Sequence, residues 1–341
     1  MSAFLLARLK AARPQLALLI LALLVNVIVA PGFLDLRLQD GRLFGGLVDI
    51  LNRGAPVVLL AVGMAPVIAT RGIDLSVGVI MAISGAVAAA GVNAGLAWPA
   101  AILASLATGL VCGLWNGLLV AVFRLQPIVA TLILMVAGRG IAQLITEGRI
   151  LTFTEPHLIA IAGSTLATLP LPVVLALAAA GLTGLLVRAT ALGLFVEAVG
   201  TNPRSSRLAG IHTNLVLGAV YVWSGLMAAL AGLIAAADIK GADANNAGLW
   251  LELDAILAVV IGGTSLYGGR FSIGRSVLGA LVLQAMRTAI LRAGLPPELN
   301  LVLMALVVAA VLTQQSPAFR PLAQSLAGRL MARRKNKEAQ A

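Results

Sequence analysis

The sequence predicts an all-α fold: a polytopic transmembrane helical bundle of about ten spans with both termini in the cytoplasm. Three observations lead there. Of the 341 residues, 60% are apolar and only 11% are charged, with a mean hydropathy of +1.02; a soluble domain is about a quarter charged. The apolar residues fall in runs close to the ~20 residues a helix needs to cross the hydrocarbon core. The 36 glycines are too many and too dispersed for loops alone. In lipid no hydrophobic force drives helices together, and small residues let their backbones approach closely instead. This composition excludes a soluble globular enzyme, a disordered chain, a disulfide-stapled secreted scaffold and a nucleic-acid-binding domain.

The elements follow in order. Arg8, Lys10 and Arg13 precede the apolar run Leu16 to Ala30. That pattern resembles a secretory signal, but Pro31 stands just beyond any cut after Val-Ile-Val-Ala, so a retained first span over 15–31 is expected behind a cytoplasmic segment 1–14. Further spans are predicted over 54–70, 74–91, 98–123, 126–146, 170–188, 214–237, 252–267, 273–292 and 297–314. Residues 32–53 and 147–169 are expected outside, and 189–213 forms the longest internal loop. No segment is large enough for a separate soluble domain. The chain therefore reads as one membrane domain, 15–315, followed by a basic cytoplasmic tail, 316–341. That tail carries Arg329, Arg333, Arg334, Lys335 and Lys337, and each basic residue near an anionic lipid surface contributes about 1 kcal/mol of attraction.

Charge supports this orientation. The net charge of +11 alone would suggest a nucleic-acid partner, but the basic residues lie between apolar runs rather than as a stripe on a polar domain. With alternating spans, sixteen basic residues fall inside, six outside and two within spans, as the positive-inside rule requires. Cys112, the one cysteine, lies in an apolar stretch and reads as a small packing residue.

Much familiar chemistry is missing. A P-loop needs Gly-Lys before Ser or Thr; none of the four lysines follows a glycine, so no Walker A site is present. There is no GxSxG elbow and no His/Cys metal pattern. Aromatics are only 4% of the chain, too few for a tight sugar-stacking site but compatible with a low-affinity path.

The 189–213 loop is the most informative stretch. Gly193 and Gly200 bracket a short helical segment. Asn202 suits an N-cap, Pro203 suits N1 and Gly210 suits C′, predicting a short helix over about 203–209. Arg204 and Arg207 share a face of it, and Glu197, Ala198 and Gly200 form a small, notched surface before it. Such a helix suits docking into a partner's groove; a merely solvated basic loop is the other reading.

Polar residues within the spans carry two readings each. Asp74 caps a helix start or borders the path at a broken helix end. Glu252 and Asp254 point to different helical faces, Glu252 as a cap and Asp254 toward the bundle. Arg139 and Arg287 lie about 20 Å deep by helical rise. They snorkel to the interface or face an external vestibule. Asn116, Gln126, Thr131 and Gln143 line a polyol path or hydrogen-bond neighbouring helices.

At this point the residues meet a family. Glu197 to Asn202 with Ser206, Ala209, Gly210 and Ile211 resembles the cytoplasmic coupling signature of bacterial ABC importer permeases of the ribose/xylose type. Gly72 to Gly78, Trp115 to Gly117, Gln126 to Leu132, Arg139 to Ile141, Glu252 to Ile256 and Gly262 to Gly269 are similar to that family too, in its order, over roughly 15–315. Leu38 to Gly45 and Asp238 to Asp254 resemble its galactofuranose subgroup. The resemblance implies the membrane-spanning subunit of a sugar importer in the bacterial inner membrane, not an enzyme. It implies a cytoplasmic ATPase, a second permease subunit and a periplasmic sugar-binding protein as partners, beside membrane lipid. It implies no cofactor on this chain, with ATP and Mg on the ATPase. Glu197, Ala198, Gly200, Asn202, Arg204, Arg207 and Gly210 then form the coupling surface. Two departures stand out: Arg71 replaces a more usual Gly, and Pro66 is expected to interrupt the second span. Alternatives are a proton-coupled transporter using Asp74, Asp238, Glu252 and Asp254, or a related permease for another sugar or amino acid.

Overall fold

Proline placement starts many of the helices. Pro sits at the first or second position of six helices, where its missing N–H has no partner to lose and its fixed φ fits the helix. The computed structural model describes residues 12–39, 41–296, 298–299, 301–303, 305–306, 309 and 313. In chain order the helices are α1 Arg13–Val29, α2 Gly46–Ala69, α3 Val77–Asn93, α4 Trp98–Gly117, α5 Pro127–Thr146, α6 Pro156–Gly163, α7 Leu171–Ala189, α8 Leu192–Thr201, α9 Pro203–Leu208, α10 Thr213–Ile239, α11 Leu251–Ile261 and α12 Ile273–Arg292. A π-helical turn, Leu118–Val122, extends α4. Six short strands add three two-stranded pairs: β1 Arg37–Gln39 with β2 Arg42–Phe44, β3 Leu151–Thr152 with β6 Gly241–Ala242, and β4 Thr165–Leu166 with β5 Leu169–Pro170.

Residues up to 293 form one unit and those from 294 form another. In the second, Leu301 N–H donates to the Glu298 carbonyl at 3.0 Å. The span predicted over 297–314 lies largely outside the described residues. So do residues 1–11 and the tail 316–341.

Among the described residues, five helices are long and apolar enough to cross a membrane: α2, α4 with its π-turn, α5, α7 and α10. The remaining predicted spans before residue 294 are helical but shorter or more charged. The clearest difference is the span expected over 252–267. Its helix, α11, has 11 residues, about 17 Å of rise, and stops at Gly262–Gly263, where Gly263 takes φ +84°. The second span starts earlier than expected, at Gly46 rather than 54, and Pro66 does not interrupt it. α2 is continuous through Pro56 and Pro66, as transmembrane helices tolerate when neighbours satisfy the freed carbonyls.

α2, α3 and α10 form the core, with Leu59 to Ala69 buried as a continuous run. The outer helices turn apolar side chains outward: Leu144 on α5 is 81% exposed and Ile28 on α1 79%. This is the pattern of a lipid-facing surface. α4 and α10 meet backbone to backbone. Gly109, Gly113 and Gly117 form one stripe, and a Cβ added at Gly109 would lie 2.4 Å from the Gly225 carbonyl oxygen.

The connections gather at opposite ends. At one end β3 pairs with β6, Leu43 N–H donates to the Thr168 carbonyl at 3.0 Å, and Asn93 reaches the Thr152 carbonyl at 2.9 Å. Trp98 stacks on His157 at 4.9 Å there, and the Arg292–Asp49 ion pair spans 3.2 Å. The opposite end holds α8, α9, the end of α2 and the 265–269 turn.

Candidate functional site

The predicted handle is present as a helix. Asn202 Oδ1 accepts from the N–H groups of Arg204 and Ser205, each at 3.1 Å. Pro203 opens α9, and Gly210 adopts φ +86° beyond it. Arg204 and Arg207 are exposed on this six-residue helix, and only Ser206 is buried. Arg207 Nη2 donates to Thr213 Oγ1 at 3.3 Å. Glu197 and Ala198 are half-buried on α8, beside a groove of about 740 Å³ whose walls include Arg188, Leu194, Phe271 and Arg275. Gly200 is buried for a steric reason: a Cβ there would lie 1.8 Å from the Ala69 carbonyl oxygen. The base of the handle therefore rests directly on the end of α2.

The residues predicted for a path do not form one lining. Asp74, Asn116 and Thr131 come together in a sealed cluster. Asp74 is fully buried. Its Oδ1 accepts from Ser76 N–H at 3.0 Å and Ser76 Oγ at 2.6 Å, and its Oδ2 accepts from Ser224 Oγ at 2.8 Å. Asn116 Nδ2 donates to Ser76 Oγ at 2.8 Å. Thr131 Oγ1 accepts from Leu75 N–H at 3.1 Å, and its one proton has the Pro127 carbonyl at 3.0 Å and the Ile73 carbonyl at 3.3 Å within reach. The capping reading of Asp74 holds in a modified form. It caps the turn before α3, while Ser76 occupies the N-cap position without a side-chain cap.

Arg139 and Gln143 serve a different place. Arg139 Nη1 donates to the carbonyls of Ala244 and Ala247 at 2.8 and 2.9 Å, and Gln143 Nε2 donates to Asn245 Oδ1 at 2.8 Å. Both fasten the 240–250 loop. Asp243 anchors the same loop, accepting from the Asn245 and Asn246 N–H groups at 3.0 and 3.1 Å. Partial burial acts to raise its carboxyl, but the hydrogen bonds from Asn246 and Asn245 and the nearby Arg139 outweigh that and hold it below the ordinary range. A cleft of about 210 Å³ lies beneath the loop between α3 and α10, next to Gly85 and Gly232.

Asp254 and Arg287 pair at 2.5 Å, the carboxylate 8% exposed. Arg287 therefore has a partner within the bundle, its own side chain remaining 30% exposed. Glu252 does not hold the N-cap position of α11, which falls to Trp250, a residue with no side-chain cap. Glu252 is instead buried over Gly78 of α3, where a Cβ would meet its Oε2 at 2.6 Å. Gln126 is exposed at the start of α5. Asp238, grouped with the deep carboxylates, is exposed near the end of α10.

Residues 46–312 match the family model described as branched-chain amino acid transport system / permease component. The chain belongs to this permease family. The permease is 58% identical over 316 residues to the galactofuranose transporter permease protein YtfT of Escherichia coli (strain K12), covering 93% of each chain. It is 40% identical to the fructose import permease protein FruF of Bifidobacterium longum (strain NCC 2705), over 90% of this chain and 88% of the relative. The ribose import permease protein RbsC of E. coli K12 is 36% identical, over 86% and 89%. No solved structure matches. The permease is thus a transport component of the sugar ABC importer class, seated in the inner membrane, and not an enzyme. Among its described residues no group of His, Cys, Asp and Glu is arranged to hold a metal ion.

Sequence reasoning missed Ser76 and Ser224, the donors to Asp74, and Tyr221, whose hydroxyl is buried on α10 without a partner. The Asp-x-Ser spacing of Asp74 and Ser76 is a local turn signal. Ser224 was signalled only as a polar residue in an apolar run.

Proposed function

We propose that the chain is the membrane-spanning permease of an ATP-driven importer, moving galactofuranose by alternating access. A loaded periplasmic sugar-binding protein docks on the end carrying the hairpins and the 240–250 loop. Sugar passes along a cavity between this chain and a second permease subunit, identical or homologous. A cytoplasmic ABC ATPase, which holds ATP and Mg, grips α9 and returns the power of hydrolysis through it. In this reading about ten spans make the domain 15–315, with 189–213 as coupling loop, and both 1–14 and 316–341 lie in the cytoplasm, the basic tail against lipid.

The observation that carries the proposal is the α8–α9 unit. α9 stands exposed and is stopped at both ends, while Gly200 at its base packs on the last turn of α2. A push on α9 therefore reaches a buried helix through backbone contact. The choice of sugar rests on the relative at 58% identity, itself a galactofuranose permease. The proton-coupled alternative has less support. Of its four carboxylates, Asp254 is ion-paired, Asp74 is hydrogen-bonded through both oxygens and Asp238 is exposed, which leaves Glu252, buried over Gly78, as its one remaining candidate.

The test is reconstitution with the partner ATPase and binding protein. ATPase stimulation by galactofuranose-loaded binding protein is measured for the native chain and for Glu197→Arg and Arg207→Glu. Stimulation is expected to vanish in both variants with membrane insertion intact; stimulation equal to the native chain's would remove the loop from the mechanism.

A further inference from the structure

Arg71 stands in the left-handed region, at φ +65°. Glycine adopts that region at less cost than any other residue. The position therefore disfavours an arginine on backbone grounds, and its side chain has to supply the reason for its presence. Arg71 Nη2 donates to the carbonyl of Thr201 at 2.5 Å, the last residue of α8 and the one before the α9 cap. The aliphatic stem of Arg71 lies over Gly268, where a Cβ would meet Arg71 Cγ at 2.5 Å, and Gly269 N–H donates to the Ala69 carbonyl at 2.8 Å.

The residues that follow lead straight into the core. A Cβ on Gly72 would lie 2.6 Å from Tyr221 Oη on α10. The Ile73 carbonyl lies 3.3 Å from Thr131 Oγ1 on α5, which also accepts from Leu75 N–H at 3.1 Å. Asp74 is bound by Ser224 on α10 at 2.8 Å. Four consecutive residues thus join the coupling segment at one end to α10 and the buried cluster at the other.

We propose that Arg71 is a positioning residue, the latch through which displacement of the α8–α9 segment is passed along residues 71–74 to the Asp74 cluster. The proposal rests on the coupling role given to α9 above. The contact from Thr201 is a charge-assisted hydrogen bond to a backbone carbonyl, so it follows the movement of α8 itself rather than of a side chain. Between Arg71 and Asp74 only Gly72 and Ile73 intervene, Gly72 buried against Tyr221 of α10. A shift at Thr201 is thus transmitted to the residues that tie α3, α4 and α10 together.

Two variants separate a latch from packing. Arg71→Lys and Arg71→Met both keep the stem over Gly268 and the same backbone demand; only lysine can donate to Thr201. Complexes with the ATPase and binding protein are reconstituted in nanodiscs, and basal and binding-protein-stimulated hydrolysis are measured with galactofuranose-loaded binding protein. The expected result is native basal hydrolysis in both, with stimulation falling about tenfold in Arg71→Met, the scale of one charged hydrogen bond, and largely retained in Arg71→Lys. Native stimulation in Arg71→Met overturns the latch and leaves the coupling role of α9 standing. Equal losses in both variants, or loss of basal hydrolysis, overturn it as well, because then Arg71 only shapes the local structure. Absence of stimulation in the native complex overturns the coupling reading itself.

Discussion

Replacing Asp74 tests whether the sealed cluster is held by hydrogen bonds or by charge. In Asp74→Ala the Ser76 N–H loses its only side-chain acceptor, and the Ser76 and Ser224 hydroxyls each lose a bond of 2.6 and 2.8 Å. A buried N–H left without a partner costs about 1–3 kcal/mol and each lost neutral bond about 0.5–1.5. The hydroxyls recover part of this by turning to helix carbonyls, so the loss comes to about 2–4 kcal/mol. Asp74→Asn keeps an oxygen toward Ser76 and offers an amide to Ser224, whose hydroxyl can accept, so its loss should be about 1 kcal/mol. Cys112, the one cysteine, lies buried on α4 four residues before Asn116. A fluorogenic maleimide that reacts as Cys112 becomes exposed therefore reads unfolding at this site in detergent. The expected order of melting is native, then Asp74→Asn close below, then Asp74→Ala far below. Coincident melting of Asp74→Ala and native protein would refute the hydrogen-bond argument. Equal falls in both variants would show that the negative charge itself is required.

Two further outcomes are expected. The Asp243 carboxyl is held below its ordinary value, so its contribution to ordering the 240–250 loop is complete above the unfolded pKa, ~3.9, and is lost as pH falls through the lower folded value. Pepsin cleavage of the loop should rise below about pH 4. Arg139→Ala, which removes two carbonyl clamps, should make it rise at higher pH as well, and a cleavage profile unchanged by Arg139→Ala would show that the clamp is dispensable. Arg287→Ala should cost about 3 kcal/mol by stranding the Asp254 carboxylate, the low end for a buried pair because Arg287 is 30% exposed. Asp254→Leu with Arg287→Met should melt close to the native protein, and a double variant no better than Arg287→Ala would refute that account.

What the sequence made legible was local. The Asn202–Pro203–Gly210 pattern placed α9 to within a residue because capping depends on neighbours alone. The Asp74 cluster depends on Ser224, 150 residues away, and no spacing rule connects them. Arg139 offered two readings by depth, and neither named its partners, which are carbonyls 105 and 108 residues later. The apolar run at 252–267 read as a full span because hydropathy does not register where Gly262 and Gly263 end the helix. The four-residue spacing of Gly109, Gly113 and Gly117 was visible in the sequence. Its partner surface on α10 was not.

That glycine seam fixes where the molecule can part. A Cβ added on either side would collide with the opposite backbone, lying 2.4 Å from the Gly225 carbonyl oxygen if placed on Gly109 and 2.2 Å from the Gly109 carbonyl oxygen if placed on Gly225. Helices in such contact gain dispersion along their whole length and have no room to hold a solute between them. α4 and α10 must then travel as one stiff strut. Any opening for a solute has to form along its outer flanks, and not through its middle.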